Sequence, residues 1–256
     1  MTRRPAPHLL SRKDLERFFA RDIDRHIPHL ILDCAVFGFH NSDLKVLLIK
    51  WKGMNIWSMP GGYVRKTEPL DAAANRILQV HTGLRNVHLR QFHTFSGLNT
   101  SQRPVKQFYA KLGIRVPADA WPLKRLVAVG YYALVDFLRV RPSADYMADT
   151  CAWYGVDDRP RLAFDHEEIL QSAREALRAT LDVPSAGATL LPSRFTMPEL
   201  QRLHEAILGR QLDRRNFQKK MLDRGDIERL AERRRGGAHR APFLYRFRSG
   251  RAGDPL

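Results

Sequence analysis

The chain of 256 residues has little cysteine: Cys34 and Cys151 are its only two. A pair so placed makes neither a disulfide framework nor a metal-ligand pattern, and a reducing cytoplasm is the expected setting. Long apolar runs are also missing. The best, residues 30–39, is interrupted by Asp33 and falls well short of the ~20 residues a membrane helix needs. The first residues, Met1-Thr2-Arg3-Arg4-Pro5, are basic, but no apolar stretch follows, so they do not read as a secretory signal. There is no internal repeat and no low-complexity tract. What remains is an ordinary globular balance, 44% hydrophobic and 27% charged, which excludes collagen, coiled coil and wholesale disorder. The length suits one large domain or two ordinary ones.

Acidic residues are scarce beside basic ones: 27 Asp and Glu face 43 Lys and Arg, a net charge of +16. Such a charge favours polyanionic partners, nucleic acid first and a membrane surface second. Its distribution is uneven. Residues 186–256 hold 16 Lys and Arg against 8 Asp and Glu, a net of +8, so the C-terminal stretch carries half of the excess.

Along the chain, residues 11–24 read as a short helix that Ser11 can cap, with Leu15, Phe18 and Phe19 at helical spacing. Residues 29–39 and 44–51 are β-type runs around the turn signal Asn41-Ser42-Asp43, a predicted hairpin. A helix is predicted over 70–81, closed by Gly83. Strand-like runs return at 87–95, 125–136 and 150–156. Residues 99–124, with Pro104, Pro117 and Pro122, read as a long inserted loop with a possible short helix near 105–112. Asp165 with Glu168 suggests a capped helix running to Leu181. The mixture indicates a mixed α/β or α+β domain.

The basic C-terminal stretch has its own order. Thr196-Met197-Pro198-Glu199 is a capping box that opens a helix with Leu200, Leu203, Ile207 and Leu208 on one face and Gly209 at its end. Asp213 caps a further helix over 214–223. Two β-type runs, 227–230 and 243–248, flank the basic loop Arg233 to Arg240. This is the order of a winged helix-turn-helix. Phe217 and Met221 are spaced to pack inward, so Arg214, Arg215, Asn216, Gln218, Lys219 and Lys220 are the expected contacts to the major groove and its phosphates. Arg233, Arg234, Arg235 and Arg240 are expected in a flexible wing, drawn to phosphates rather than reading bases.

A second motif lies upstream. Trp57-Ser-Met-Pro-Gly-Gly62 is followed by Glu68, Arg76 and Gly83, and this resembles the Nudix box. That family's pattern is Gly, five residues, Glu, seven residues, then Arg-Glu-apolar-any-Glu-Glu-any-Gly-apolar. Gly62, Glu68, Arg76, Leu78, Gly83 and Leu84 fall in place. The three remaining acidic positions are Ile77, Val80 and His81. In a Nudix hydrolase, glutamates there hold Mg²⁺, which wants oxygen ligands. Their absence predicts no metal, no catalytic residue and no enzyme. Glu68 with Arg76 is expected to be a structural ion pair.

A Nudix-like part followed by a winged helix resembles the NrtR family of bacterial transcription regulators. The runs that carry the likeness are Phe92-His-Thr-Phe95, Val129-Gly-Tyr-Tyr-Ala-Leu-Val135, Ala152-Trp-Tyr154, residues 203–217 and Leu244-Tyr-Arg-Phe247. The resemblance implies a Nudix-like α/β/α sandwich over 29–160, preceded by a basic helix in 1–28. A linker helix and winged-helix DNA-binding domain would occupy 161–256. It implies a cytoplasmic homodimer that binds a palindromic operator in double-stranded DNA, as a repressor, and senses a small effector without a cofactor. The effector is ADP-ribose or a related NAD metabolite, or a pentose as in the sugar-responsive members that the insertion at 99–124 is similar to. The expected effector contacts are Trp57, Gly61, Gly62, Arg76, Phe92, Phe95 and Tyr132, with Arg65, Lys66 and Arg103 as possible partners of a diphosphate. The competing readings are an active Nudix hydrolase with a basic appendage, and an RNA-associated or structural basic protein.

Overall fold

The structure, a computed structural model, describes residues 12–17, 21, 23–85, 87–97, 103–144, 147–181, 188–234 and 241–248, without the side chains of 12, 14 and 15. Ser11, Phe18, Phe19, Arg235 and Arg240 lie outside the described residues, as does the side chain of Leu15. The chain divides into two compact units. One comprises Met1–Phe37, Lys45–Ala133 and Arg139–Ala173; the other comprises Gly38–Leu44, Leu134–Leu138 and Arg174–Leu256.

The larger sheet holds seven strands: β1 (His26–His40), β2 (Asp43–Trp51), β3 (Trp57–Ser58), β4 (Gly61–Arg65), β5 (Leu89–Phe95), β6 (Val127–Leu134) and β7 (Ala148–Gly155). Its order is β3-β2-β1-β6-β5, with β4 on β1 and β7 on β2. Asn41 and Ser42 both take positive φ between β1 and β2, as a tight primed hairpin turn requires. Leu32, Cys34, Ala35, Val36 and Phe37 of β1 are fully buried, so this strand is covered on both faces and shows no alternation.

Among the described residues, helices α1 (Arg12–Arg17), α2 (Leu70–Thr82) and α3 (Arg103–Lys111) lie wholly in this unit. Helix α2 ends as expected, with Gly83 at φ 72° donating its N–H to Gln79 O. The short helix expected near 105–112 is present as α3, over Arg103–Lys111. It buries Val105, Phe108 and Tyr109 in a cluster with Trp51, Met54 and Phe164. Proline at Pro104 sits in its first turn, where the missing N–H costs nothing.

Helix α4 (His166–Thr180) contains the point at which the two units divide. At its start Glu167 accepts from Leu162 N–H (2.7 Å) and from both Arg159 Nη atoms (3.0 and 2.5 Å).

The second unit follows the predicted order. It contains β8 (Phe195–Thr196), α5 (Met197–Leu208), α6 (Arg214–Arg224), β9 (Ile227–Arg233) and β10 (Phe243–Phe247). The strands form a small sheet ordered β8-β10-β9. The capping box of α5 is complete: Thr196 Oγ1 accepts from Glu199 N–H, and Glu199 accepts from Thr196 N–H. Asp213 caps α6 by accepting from Asn216 N–H at 2.9 Å. Leu200, Leu203 and Ile207 of α5 and Phe217 and Met221 of α6 are buried, and His204 meets the Phe217 ring edge-on at 5.1 Å. Among the described residues no helix is long and apolar enough to cross a membrane.

Candidate functional site: a cavity beside the box helix and a basic recognition helix

The first unit encloses a cavity of about 970 Å³, ample for a nucleotide-sized ligand. Its walls are built from the ends of many elements. Ile31 and Asp33 come from β1, Ile49 and Trp51 from β2, and Ser58, Met59, Gly61, Gly62, Tyr63 and Arg65 from the β3–β4 segment. Arg76, Ile77, Val80 and His81 come from α2, Val105 and Tyr109 from α3, and Phe164, Asp165 and His166 from the start of α4.

Of the expected effector contacts, Gly61, Gly62 and Arg76 line the cavity, as do Arg65 and Lys66. The four aromatics are a correction, because Trp57, Phe92, Phe95 and Tyr132 do not line it, and neither does Arg103. Trp57 packs edge-on against Tyr154 at 5.0 Å. Phe92 lies where the β5–β6 register shifts, and packs with Phe95 (5.9 Å) and Tyr132 (6.3 Å) over Gly130. A Cβ on Gly130 would come within 2.6 Å of Phe92, so these rings occupy the space a side chain would fill. They are packing residues.

The aromatic wall of the cavity is instead Trp51, Tyr63, Tyr109 and Phe164. The Trp51 ring lies 5.4 Å from Phe164 and donates its Nε1–H to Ser58 Oγ at 2.9 Å. Phe164 holds φ at 60°, a left-handed conformation that is strained for a bulky residue and that concentrates at functional sites. Tyr63 and Tyr109 are hydrogen-bonded to each other, and burial raises both phenols above their ordinary range.

Behind this wall stands a buried polar pair. Asp33 is 4% exposed and His166 is 7% exposed, with Asp33 Oδ1 at 3.5 Å from His166 Nε2. His166 Nδ1 accepts the Met59 N–H at 3.0 Å. That bond leaves the proton of the neutral ring on Nε2, facing the carboxylate. Burial raises the Asp33 carboxyl above its ordinary range; the nearby His166 works in the other direction, and Asp165 adds to the rise. Gly61 is paired in register with Asp33. A Cβ at residue 61 would meet Asp33 Oδ1 at 2.5 Å and Leu32 O at 2.9 Å, so this position has room only for glycine.

Arg76 is the strap between box loop and helix. Its Nε and Nη2 donate to Glu68 at 3.1 and 2.6 Å, and Nη2 also donates to Tyr63 O at 2.8 Å. Partial burial opposes ionisation of Glu68, but the bonds from Arg76 and from Arg65 N–H outweigh it and hold the carboxyl below its ordinary range.

The cavity-facing positions of α2 offer Ile77, Val80 and His81. Two hydrocarbons and an imidazole do not fit Mg²⁺, a hard cation that takes oxygen ligands in octahedral array. Among the described residues no group of three His, Cys, Asp or Glu side chains could hold a metal ion.

In the second unit the exposed face of α6 carries Arg214, Arg215, Asn216, Lys219 and Lys220, with Gln218 half-buried. Asn216, Lys219, Lys220, Asp223 and Arg224 line a shallow surface depression. The wing departs from expectation. Arg233 is the last residue of β9, not part of a loose loop, and its guanidinium lies 3.8 Å from the centroid of the Phe243 ring. Arg229 packs on the same ring at 4.6 Å. Arg234 donates to both carboxylate oxygens of Glu199, at 2.8 and 2.7 Å, so it is clamped to the capping box of α5.

Residues 187–247 match the family described as NrtR DNA-binding winged helix domain. Over 227 residues the chain is 27% identical to the ADPR responsive transcriptional repressor NtrR of Acinetobacter baylyi, covering 86% of this chain and 82% of that one. Over 154 residues it is 25% identical to an ADP-ribose pyrophosphatase of Methanocaldococcus jannaschii, covering 59% of this chain and 78% of the relative. Shewanella oneidensis NrtR superposes with a TM-score of 0.65 at 25% identity, covering 86% of this chain and 94% of that one. The same protein complexed with a 27mer DNA also gives 0.65, over 85% and 93%. A MutT/nudix family protein from Enterococcus faecalis shares the fold, with a TM-score of 0.62 at 20% identity over 94% of this chain and all of that one. The chain is thus similar to NrtR over most of its length: a Nudix-like fold followed by a segment, residues 187–247, that matches the NrtR winged helix domain.

Proposed function

We propose that this protein is a DNA-binding transcriptional repressor that releases its operator when a small effector fills the cavity of the Nudix-like unit. The observation that carries this reading is the winged helix itself. Residues 187–247 match the NrtR DNA-binding domain, and the exposed face of α6 there is cationic and polar around Asn216. Side chains of that kind read base edges while their cationic neighbours hold phosphates. Arg214, Arg215, Asn216, Gln218, Lys219 and Lys220 are assigned to this work. By analogy with the Acinetobacter baylyi repressor, the effector is ADP-ribose or a close relative. Arg65 and Lys66 on the cavity wall suit a diphosphate. The protein works in the cytoplasm as a homodimer on a palindromic site, whose two-fold symmetry mirrors its own.

It does not hydrolyse the effector. The side chains at 77, 80 and 81 supply no oxygen to a metal, so nothing would stabilise the charge that develops on a leaving phosphate. The 25% identity to an ADP-ribose pyrophosphatase makes hydrolysis the competing reading. Two assays on the full chain test the proposal. A gel shift with DNA from upstream of its own operon should show a complex that ADP-ribose dissolves. Incubation with ADP-ribose and Mg²⁺ or Mn²⁺ should give no turnover near the ~1 s⁻¹ at which enzymes begin to operate. Sequence-independent binding that ignores ADP-ribose overturns the first part, and metal-dependent turnover overturns the second.

A further inference from the structure

We propose that the last turn of α6 reads base identity, with the Leu222 side chain seated on a thymine C5-methyl group and the Asp223 carboxylate accepting from a cytosine N4 amino group. The inference rests on the DNA-binding role proposed above and adds the chemistry of the bases contacted. Phe217 and Met221 are buried and fix the inward side of α6. On the opposite side Arg215, Lys219 and Leu222 (i, i+4, i+7) form one stripe, and Asn216, Lys220 and Asp223 form the stripe beside it. All six are exposed. Each stripe carries an amide or cationic group in its first turns and neither at its end. Arg224, the cation that closes the helix, does not extend them. Its Nη1 donates to Leu181 O at 2.8 Å and its Nη2 to Asp226 at 2.9 Å, and its side chain is 18% exposed.

The composition of that end decides its role. A leucine has no donor for a phosphate, and a carboxylate repels one. A surface that held only the DNA backbone would carry cations there, as the earlier turns do. Among the described residues the exposed large apolar side chains are Leu138 and Leu222, and Leu222 is 43% exposed amid charged neighbours. The major groove has a partner for both groups. Thymine presents its C5-methyl, an apolar group among donors and acceptors, and cytosine presents the N4 amino group, which an acceptor satisfies. The adenine amino group is flanked by the N7 acceptor, which repels a carboxylate, so cytosine is the better partner. A helix in the groove turns successive exposed positions toward successive bases. Leu222 and Asp223 therefore face neighbouring base pairs at one end of each half-site.

The test is a fluorescence-anisotropy titration of the full chain on the operator, on a scrambled duplex, and on two operator series altered in one half-site. In the first series single thymines become deoxyuridine, which removes nothing but the C5-methyl. In the second, single C·G pairs become T·A, which puts an acceptor where the amino group stood. At one thymine the unaltered protein should lose about fourfold in affinity, the effect of withdrawing one methyl-sized group from contact. At one cytosine it should lose about tenfold. Leu222→Ala should be indifferent to that deoxyuridine, whereas Leu222→Met, which keeps an apolar end, should still sense it. Asp223→Ala should be indifferent to that T·A pair. Both alanine variants should bind the scrambled duplex as well as the unaltered protein does, because a base reader contributes nothing there. An unaltered protein blind to every deoxyuridine overturns the assignment of Leu222, as does a Leu222→Ala variant that senses it fully. An Asp223→Ala variant that keeps the cytosine preference overturns that of Asp223. Equal loss on operator and scrambled duplex shows a structural role and overturns the assignment of the residue replaced. If the unaltered protein binds operator no better than scrambled duplex, the repressor reading itself fails and takes this one with it.

Discussion

Replacing Arg234 by alanine separates two roles that a basic wing would blur. The guanidinium is held by both oxygens of Glu199, with the two side chains 45% and 30% exposed. A pair so exposed is screened, and its contribution is about 0.5–1 kcal/mol. The capping box beneath it survives the change, because Glu199 still accepts from Thr196 N–H at 2.7 Å and from Thr196 Oγ1 at 3.0 Å. Arg234→Ala should therefore lower the melting temperature by about 2–8 °C, on the scale of a domain this small. Glu199→Ala removes the pair and one half of the box together, and should cost about 1–2 kcal/mol more. The effect of Arg234→Ala on DNA should be slight. A cation already neutralised by a carboxylate releases few counterions, so the slope of log affinity against log salt should change by much less than one. Arg215→Ala should behave in the opposite way, leaving the melting temperature in place and flattening the slope by about 0.9 for one lost phosphate contact. The assay is a salt titration of both variants on operator and scrambled duplex, beside thermal melts. A slope that Arg234→Ala flattens by a full unit, with no change in melting, would refute the reasoning by showing that the arginine leaves Glu199 for DNA.

Gly61→Ala should destabilise the first unit by about 1–3 kcal/mol, because its Cβ would press to 2.5 Å from the Asp33 carboxylate; a melting curve unchanged from the native would sink that. Glu68, Glu167 and Glu199 are all held below the ordinary carboxyl value of 4.5 by arginine and backbone donors. Their folded values lie below the unfolded ones, so their stabilisation is complete above about pH 4.5 and fades as pH falls through the lowered values. Acid unfolding followed by circular dichroism should begin below the ordinary carboxyl range, and Glu68→Gln should remove part of that dependence; an identical acid curve would deny it. Arg178 donates from Nε to Ile207 O near the end of α5, and Arg224 at the end of α6 donates to Leu181 O just past α4. Arg178→Ala should keep operator binding while blunting release by ADP-ribose, and an unaltered release curve in the gel shift would rule that link out.

The parts of the molecule legible in the sequence are those set by local chemistry. Thr196 and Glu199 cap α5 and Asp213 caps α6 because each needs only backbone groups within three residues. Gly83 closes α2 for the same reason. The cavity was not legible in this way. Asp33 and His166 meet only because β1 and the start of α4 converge, and no periodicity encodes that meeting. The aromatics expected at the effector site went elsewhere: Trp57 to Tyr154, and Phe92, Phe95 and Tyr132 to one another. Within residues 99–124 the prolines leave only a short helix legible near 105–112, and Phe108 fixes it as α3 by packing edge-on to Trp51 at 4.9 Å. One signal was present from the start. Asp33 is a lone acid in an apolar run, and such a residue is rarely buried without a purpose.

These features bear on why the site is suited to sensing. A ligand moves an equilibrium only by the difference in its affinity for the two states, however tightly it binds. A hundredfold loss of operator affinity needs about 2.7 kcal/mol of such difference, within the usual range of coupling energies. The cavity's contacts are distributed so that this difference can arise. Gly61 and Asp33 sit on paired strands of one sheet and are fixed by their register. His166 and Phe164 belong to the start of α4, where Phe164 is already strained at φ 60°. An effector that reaches both Asp33 and His166 is therefore sensitive to any shift of α4 against the sheet, whereas a ligand held only by Arg65 and Lys66 is not. It follows that ADP, which lacks the second ribose of ADP-ribose, should occupy the cavity without releasing DNA. Full release by saturating ADP would mean that the coupling runs through the phosphate end instead. The measurement is a gel shift with ADP and ADP-ribose, each at saturation.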